Sequence, residues 1–294
     1  MMTRIGSLLL LLGMALGLVW MGRQTSAAGP IDAGWARANE VQLRRVLNLR
    51  PNMKLEYKKV VEDPKAPQYY VVQFDVVSGD KRQTIELYIS RDGQRVMADR
   101  EYDLADPFRA VREQISLEGV AGTGPVDAPV TIVEYLDYNC GYCRLFYEQQ
   151  EKDLLARYQG RVRFVVKHFP ILSPTSNDAA RGSVCAWRQG EDKFWALHDK
   201  LFREPKTVKE GKAGILVLAA DAGLDVGALG RCMNEEAAKQ TVQRDFEEGQ
   251  KLGVNGTPNF FINGRRLGGY VGAESFFRIV DEELEFAQPA PAVQ

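Results

Sequence analysis

"VTIVEYLDYNCGYCR", residues 130–144, decides how the rest of the chain is read. Its first half is a nearly unbroken apolar run, the pattern of a strand buried on both faces. Its second half sets Cys140 and Cys143 three positions apart in a chain with four cysteines in all. An amphipathic stretch to about Tyr158 then predicts a helix, and "RVRFVVKHF" (161–169) a second buried strand. Strand, helix and strand in that order imply parallel pairing through a crossover, so this half of the chain is expected to be α/β.

The two thiols admit three readings. A zinc half-site needs two further ligands, and the chain offers only His168, His198, Cys185 and Cys232, with no second close pair. A structural staple across two residues closes almost no loop and adds little stability. A reactive couple fits the position better. Cys140 ends the predicted strand and Cys143 falls in the first helical turn, where unpaired N–H groups favour a thiolate. Cys140 is then the exposed attacking sulfur and Cys143 the resolving one. Such chemistry needs no cofactor and no metal.

Downstream, residues from about 175 to 252 are helical in pattern, forming an insertion before "GVNGTPNFFING" (253–264). Pro258 there is compatible with an ordinary strand start or with a cis Thr257–Pro258 bond. A hairpin and a last helix to Ala287 follow, and the tail 288–294 reads as disordered. Upstream, residues 33–104 hold no cysteine and read as a small α+β domain. A helix within "WARANEVQLRRVLN" precedes three strand-like runs, "MKLEYKKVV", "QYYVVQFDVV" and "RQTIELYIS", separated by turn sequences. Residues 105–129 read as a connecting helix, "DPFRAVREQISLEG", and a Gly/Pro linker, "VAGTGPVDAP".

The first 28 residues carry Arg4 and Arg23, no acid, and an apolar run that ends in small residues. They read as a signal peptide or, uncleaved, a membrane anchor, and predict a periplasmic or otherwise exported protein. A formal net charge of −1 with no basic stripe argues against nucleic acid as a partner.

A strand ending in "NCGYC", a helical insertion and then "GTP" before a terminal hairpin and helix resemble the thioredoxin fold of the bacterial Dsb proteins, the exported disulfide oxidases and isomerases. The resemblance runs from about Val120 to Ala287. It implies Cys140 as nucleophile, Cys143 as its partner, and Thr257 and Pro258 as a cis-proline loop facing them. Gly141 and Tyr142 stand where the strong oxidases have proline and histidine, which resembles the isomerase branch. Glu134, inside the first strand, corresponds to a buried acid that assists proton transfer at the resolving cysteine; the alternative is a residue turned to solvent. Lys167 in the adjacent strand is its nearest expected partner. Cys185 and Cys232, an even pair left over in an exported protein, are expected to form a structural disulfide. His168 is a strand-end candidate for the site, and His198 reads as core of an amphipathic helix.

The resulting expectation is an exported thiol:disulfide oxidoreductase acting on thiol- or disulfide-containing clients and served by a membrane redox partner. The first block is a possible homodimerisation module. Competing readings are a chaperone whose disulfide is structural, and a dedicated reductant for a narrow client. Reduction potential, not motif, sets the direction of electron flow.

Overall fold

The computed structural model describes residues 31–50 and 52–287. The expected leader and tail lie outside the described residues. Among those described, no helix is long and apolar enough to cross a membrane. The chain divides into two compact units between Ala105 and Asp106.

In the first unit, Asp32 caps α1 (Ala33–Ala38) by accepting from the backbone N–H groups of Gly34 and Trp35, and α2 (Glu40–Val46) follows. The antiparallel meander comprises β1 (Lys54–Val61), β2 (Tyr69–Ser78), β3 (Lys81–Ser90), β4 (Arg95–Met97) and β5 (Glu101–Asp103), adjacent in chain order. The three long strands coincide with the apolar runs. The two short ones lie beyond them, because each is three residues long and buries a single residue, Val96 or Tyr102, too little alternation to announce a strand. Leu43, Val72, Phe74, Ile89 and Val96 fill the core.

The second unit opens with α3 (Arg109–Arg112), β6 (Ala121–Thr123) and β7 (Val130–Leu136). The expected connecting helix is therefore one turn long, and the expected linker contains a strand. Its glycines permit close approach to the neighbouring backbone. A Cβ on Gly122 would sit 2.7 Å from the Phe164 carbonyl oxygen, and one on Gly124, at φ +88°, 2.2 Å from that of Val162.

The crossover that follows is α4 (Gly141–Phe146), a π-helical turn (Tyr147–Glu151) and α5 (Lys152–Arg157), leading to β8 (Val162–His168). The insertion contains α6 (Pro174–Trp187), α7 (Glu191–Arg203), α8 (Pro205–Val208), α9 (Lys212–Asp221), α10 (Val226–Cys232) and α11 (Glu236–Lys251). The chain ends with β9 (Asn259–Ile262), β10 (Arg265–Gly268) and α12 (Ala273–Ala287).

The sheet order is β10-β9-β7-β8-β6, with β7 and β8 parallel and the other neighbours antiparallel. This is a thioredoxin-like fold with a helical insertion, in the α/β class. Period-two alternation divides the residues of β7 between two cores. Ile132 and Leu136 join the larger cluster, with Phe146, Phe276 and the insertion helices. Val133 and Tyr135 join a smaller one with Phe169, Val254 and Phe261.

Candidate active site

The site is assembled where β7 runs out. Asp137 turns the chain: its carboxylate accepts from the backbone N–H of Asn139, Ile171 and Leu172, each at 2.9 Å. The Asn139 side-chain amide donates to the hydroxyls of Ser173, Thr175 and Ser176 at the start of α6. The segment bearing the thiols is thus pinned to the insertion before the helix begins. Cys140 is the N-cap of α4, and its carbonyl accepts from Arg144 N–H at 3.1 Å.

Cys140 and Cys143 are free thiols, and both are buried. The expected exposed nucleophile is therefore corrected: Cys140 is only 6% exposed, while Tyr142 beside it is 61% exposed. The segment around Pro258 covers the sulfur. The Thr257–Pro258 bond is cis, and Cys140 Sγ donates to the Thr257 carbonyl oxygen at 3.2 Å. Tyr142 stacks on Tyr270 with ring centroids 6.3 Å apart, while Gly141 has no heavy atom near the place of a Cβ and leaves that side open.

The two thiols are driven apart in acidity. Hydrogen bonding from Cys143 is the main cause that lowers the Cys140 pKa, to about 6. Burial opposes it, and the Thr257 side chain and the N–H groups of Cys143 and Tyr142 assist it. The Thr257 hydroxyl is buried and otherwise unpartnered, so it is available to a thiolate. Cys143 moves the other way. Burial raises its pKa well above the usual range, and Cys140 and Glu134 raise it further. One thiol held towards its ionised form beside another held protonated is the arrangement that stepwise disulfide exchange uses.

Glu134 is 1% exposed and its Oε1 has no hydrogen-bond partner. Burial pushes its carboxyl well above the ordinary range, with Glu151 and Cys140 adding to the shift. The solvent-facing alternative is thereby overturned. Lys167 is not its partner. The parallel register sets Glu134 beside Val166 and Lys167 beside Tyr135, one residue out of phase, so the two side chains leave opposite faces. Lys167 instead reaches Glu248 at 2.6 Å and Asp245 at 3.4 Å. His168 also turns to Asp245, with Nδ1 at 3.2 Å from Oδ2.

Sequence reasoning missed Tyr138, Glu151 and Ser183, and read His198 only as core. These four side chains form a buried polar chain. Tyr138 hydroxyl lies 2.9 Å from Ser183 Oγ and 3.0 Å from His198 Nδ1, and His198 Nε2 lies 3.2 Å from Glu151 Oε2. They come from four separate segments, so no local spacing could have announced them. Away from the thiols, Cys185 of α6 and Cys232 of α10 form a disulfide across 47 residues. Among the described residues, no group of His, Cys, Asp or Glu is arranged to hold a metal ion.

A Cys-Gly-Tyr-Cys pair at a strand-to-helix junction, facing a cis-proline segment, defines a thiol:disulfide oxidoreductase of the thioredoxin class. A thioredoxin family model matches residues 118–282, more than half of the chain, and the chain belongs to this family. A thioredoxin-like oxidoreductase from Silicibacter pomeroyi is 31% identical, with 57% of this chain and 94% of that one covered and a TM-score of 0.51. Disulfide bond formation protein D of Bacillus subtilis is 28% identical over 185 residues, 60% of this chain and 82% of that protein. The Na(+)/H(+) antiporter NhaA of Herminiimonas arsenicoxydans is 34% identical over 158 residues, 54% of this chain, which spans only 24% of that protein's length.

Proposed function

We propose that the protein is an exported catalyst that forms disulfides in client polypeptides through Cys140 and Cys143, with Glu134 as the buried proton relay. The observation that carries this reading is the split acidity of the pair. A Cys140 pKa of about 6 stabilises the reduced form, and a couple whose reduced form is stabilised is an oxidant. A thiolate favoured over the ordinary thiol places the couple towards the oxidising side. The imidazole absent from the central dipeptide is offset by donors from Cys143, Thr257 and the helix start. The name of the Bacillus relative supports disulfide formation as the direction. Export is supported by the Cys185–Cys232 bond, since such bonds persist in oxidising compartments. Each turnover leaves the pair reduced, so a membrane redox protein is the partner that re-oxidises it.

In the working direction, a client thiolate attacks Cys140 Sγ of the enzyme disulfide. The Cys140–Cys143 bond breaks with its electron pair on Cys143, which takes a proton from the Glu134 carboxyl. A second client thiolate then attacks the client sulfur of the mixed disulfide. The client bond closes and Cys140 leaves as the stabilised thiolate.

Equilibration with glutathione tests the reading. A potential between about −120 and −270 mV is expected, with loss of client oxidation in Cys140→Ala. A potential at or below the thioredoxin end would make the protein a reductant and overturn the direction.

A further inference from the structure

The mechanism leaves one buried ionisable cluster unused. Glu151 closes the π-helical turn, the only described segment whose bonding departs from the α-helical ladder in the crossover. That turn directs Tyr147, Gln150 and Glu151 all to the buried side. Glu151 is held at His198 Nε2, and His198 is held through Nδ1 by Tyr138, which Ser183 anchors in turn. All four residues are buried. Three hydrogen bonds linking four segments lead to this one carboxylate, which His198 holds on the same side of β7 as Glu134 and Cys143. Glu134, by contrast, has an orphaned oxygen and no cation.

We propose that Glu151, fixed by His198, is a positioning residue for the resolving step: its negative charge keeps Glu134 protonated and so biases the site towards donating a proton to Cys143. This rests on Glu134 being the relay. Two carboxylates buried on the same side of β7 resist ionising together, and the one without a fixed partner is the one that retains its proton. Burial, Glu151 and Cys140 are, in that order, what raises Glu134. In the oxidising direction the protonated Glu134 meets the departing Cys143 sulfur. In the reverse direction Cys143 must give its proton to a Glu134 carboxylate before attacking Cys140 Sγ and expelling the client sulfur as thiolate. Glu151 therefore favours the first direction and slows the second. The other ionisable groups around the cluster are Tyr138, Cys140, Cys143, Tyr147 and His168, whose ring lies 6.3 Å from that of Tyr138 and whose Nδ1 is held by Asp245. Tyr147 stands with its ring 5.8 Å from that of His198 and binds Asp199 and Arg203 at the rim of α7.

Reaction of the reduced full-length protein with 5,5′-dithiobis(2-nitrobenzoate) gives two releases of thionitrobenzoate. The first forms the mixed disulfide at Cys140 and the second reports attack by Cys143. The pH dependence of the second phase is the readout. Glu134→Gln is expected to erase its carboxylate limb. Glu151→Gln is expected to move that limb down by about one pH unit, accelerating the second phase up to about tenfold below it. In the Glu134→Gln background, Glu151→Gln is expected to do nothing further. If Glu151→Gln does not fold, Glu151→Gln/His198→Gln replaces the carboxylate–imidazole contact with one between two amides and is expected to show the same shift. A folded Glu151 variant with an unmoved limb, or with only a lower melting temperature, overturns the inference and leaves the relay standing. A shift that persists without Glu134 also overturns it. A limb that survives in Glu134→Gln removes the relay and the inference together.

Discussion

The two faces of the catalytic sheet bury carboxylates in opposite ways. Behind the thiols, Glu134 has no cation, an unpartnered oxygen and a second acid for company. On the other face, Glu248 and Asp245 share Lys167 and Glu248 accepts from the Tyr135 hydroxyl, while at the strand end Asp245 also reaches His168 of the first face. Adjacent residues of one strand, Glu134 and Tyr135, point into these two environments. A paired charge resists protonation and keeps geometry. An unpaired one exchanges its proton readily, at a cost in stability. The difference separates a carboxylate cluster with partners from a buried carboxyl without them, without reference to the cysteines.

Breaking the paired side has the largest expected effect. Lys167→Met removes the buried cation shared by buried Asp245 and half-buried Glu248 and is expected to cost about 3–5 kcal/mol in chemical denaturation. The acidity of Cys140, read from thiolate absorbance, is expected to stay unchanged. If that acidity moved instead, the two faces would be one coupled system. Tyr135→Phe removes one hydrogen bond to an anion and is expected to cost about 1.5–3 kcal/mol.

On the unpaired side the expectation reverses. Glu134→Gln is expected to slow resolution of mixed disulfides about tenfold or more. It is not expected to destabilise the fold, because the amide removes an ionisation that burial disfavours. The raised carboxyl makes its stabilising contribution at low pH and loses it as pH rises through the folded pKa, so the advantage of glutamine should grow upward in pH. A Glu134→Gln variant that melts lower at every pH would mean an overlooked partner.

At Cys140 the expected effect is a slope with pH, small near pH 6 and growing above it. With a folded pKa lowered to about 6, its thiolate contribution is complete above the unfolded thiol range and disappears as pH falls through about 6. Between those limits the reduced protein should gain on Cys140→Ser by at most about 1.4 kcal/mol per pH unit, less where water screens the sulfur. Thr257→Val, which removes the buried hydroxyl beside the sulfur, should raise the Cys140 midpoint and narrow that window.

How much of this was legible follows from the range of each interaction. The thiol pair, the apolar run of β7 and the Thr257–Pro258 segment are local strings, and they point to the fold directly. The bond between Cys185 and Cys232 followed from parity alone. The pairing of Glu134 with Lys167 failed because adjacency of two strands leaves their phase open, and one residue of phase reverses the face. β6 was missed because three residues with two glycines nearby look like a hinge, when the glycines admit a neighbouring backbone. The buried exposure of Cys140 and the chain from Ser183 to Glu151 depend on where the insertion folds back. No stretch of sequence carries that information by itself.

The Cys185–Cys232 bond has a consequence for the protein's own biogenesis. It joins α6 to α10 and, on the chain-entropy estimate, contributes about 4 kcal/mol to an insertion that holds His198 and Ser183 in place. A freshly synthesised copy is therefore itself a dithiol awaiting an oxidant, and in the proposed direction of exchange a mature copy is the kind of reagent that supplies one. Preparations made in a reducing host should start slowly and gain activity as finished molecules convert unfinished ones, a lag that shortens when mature protein is added as seed.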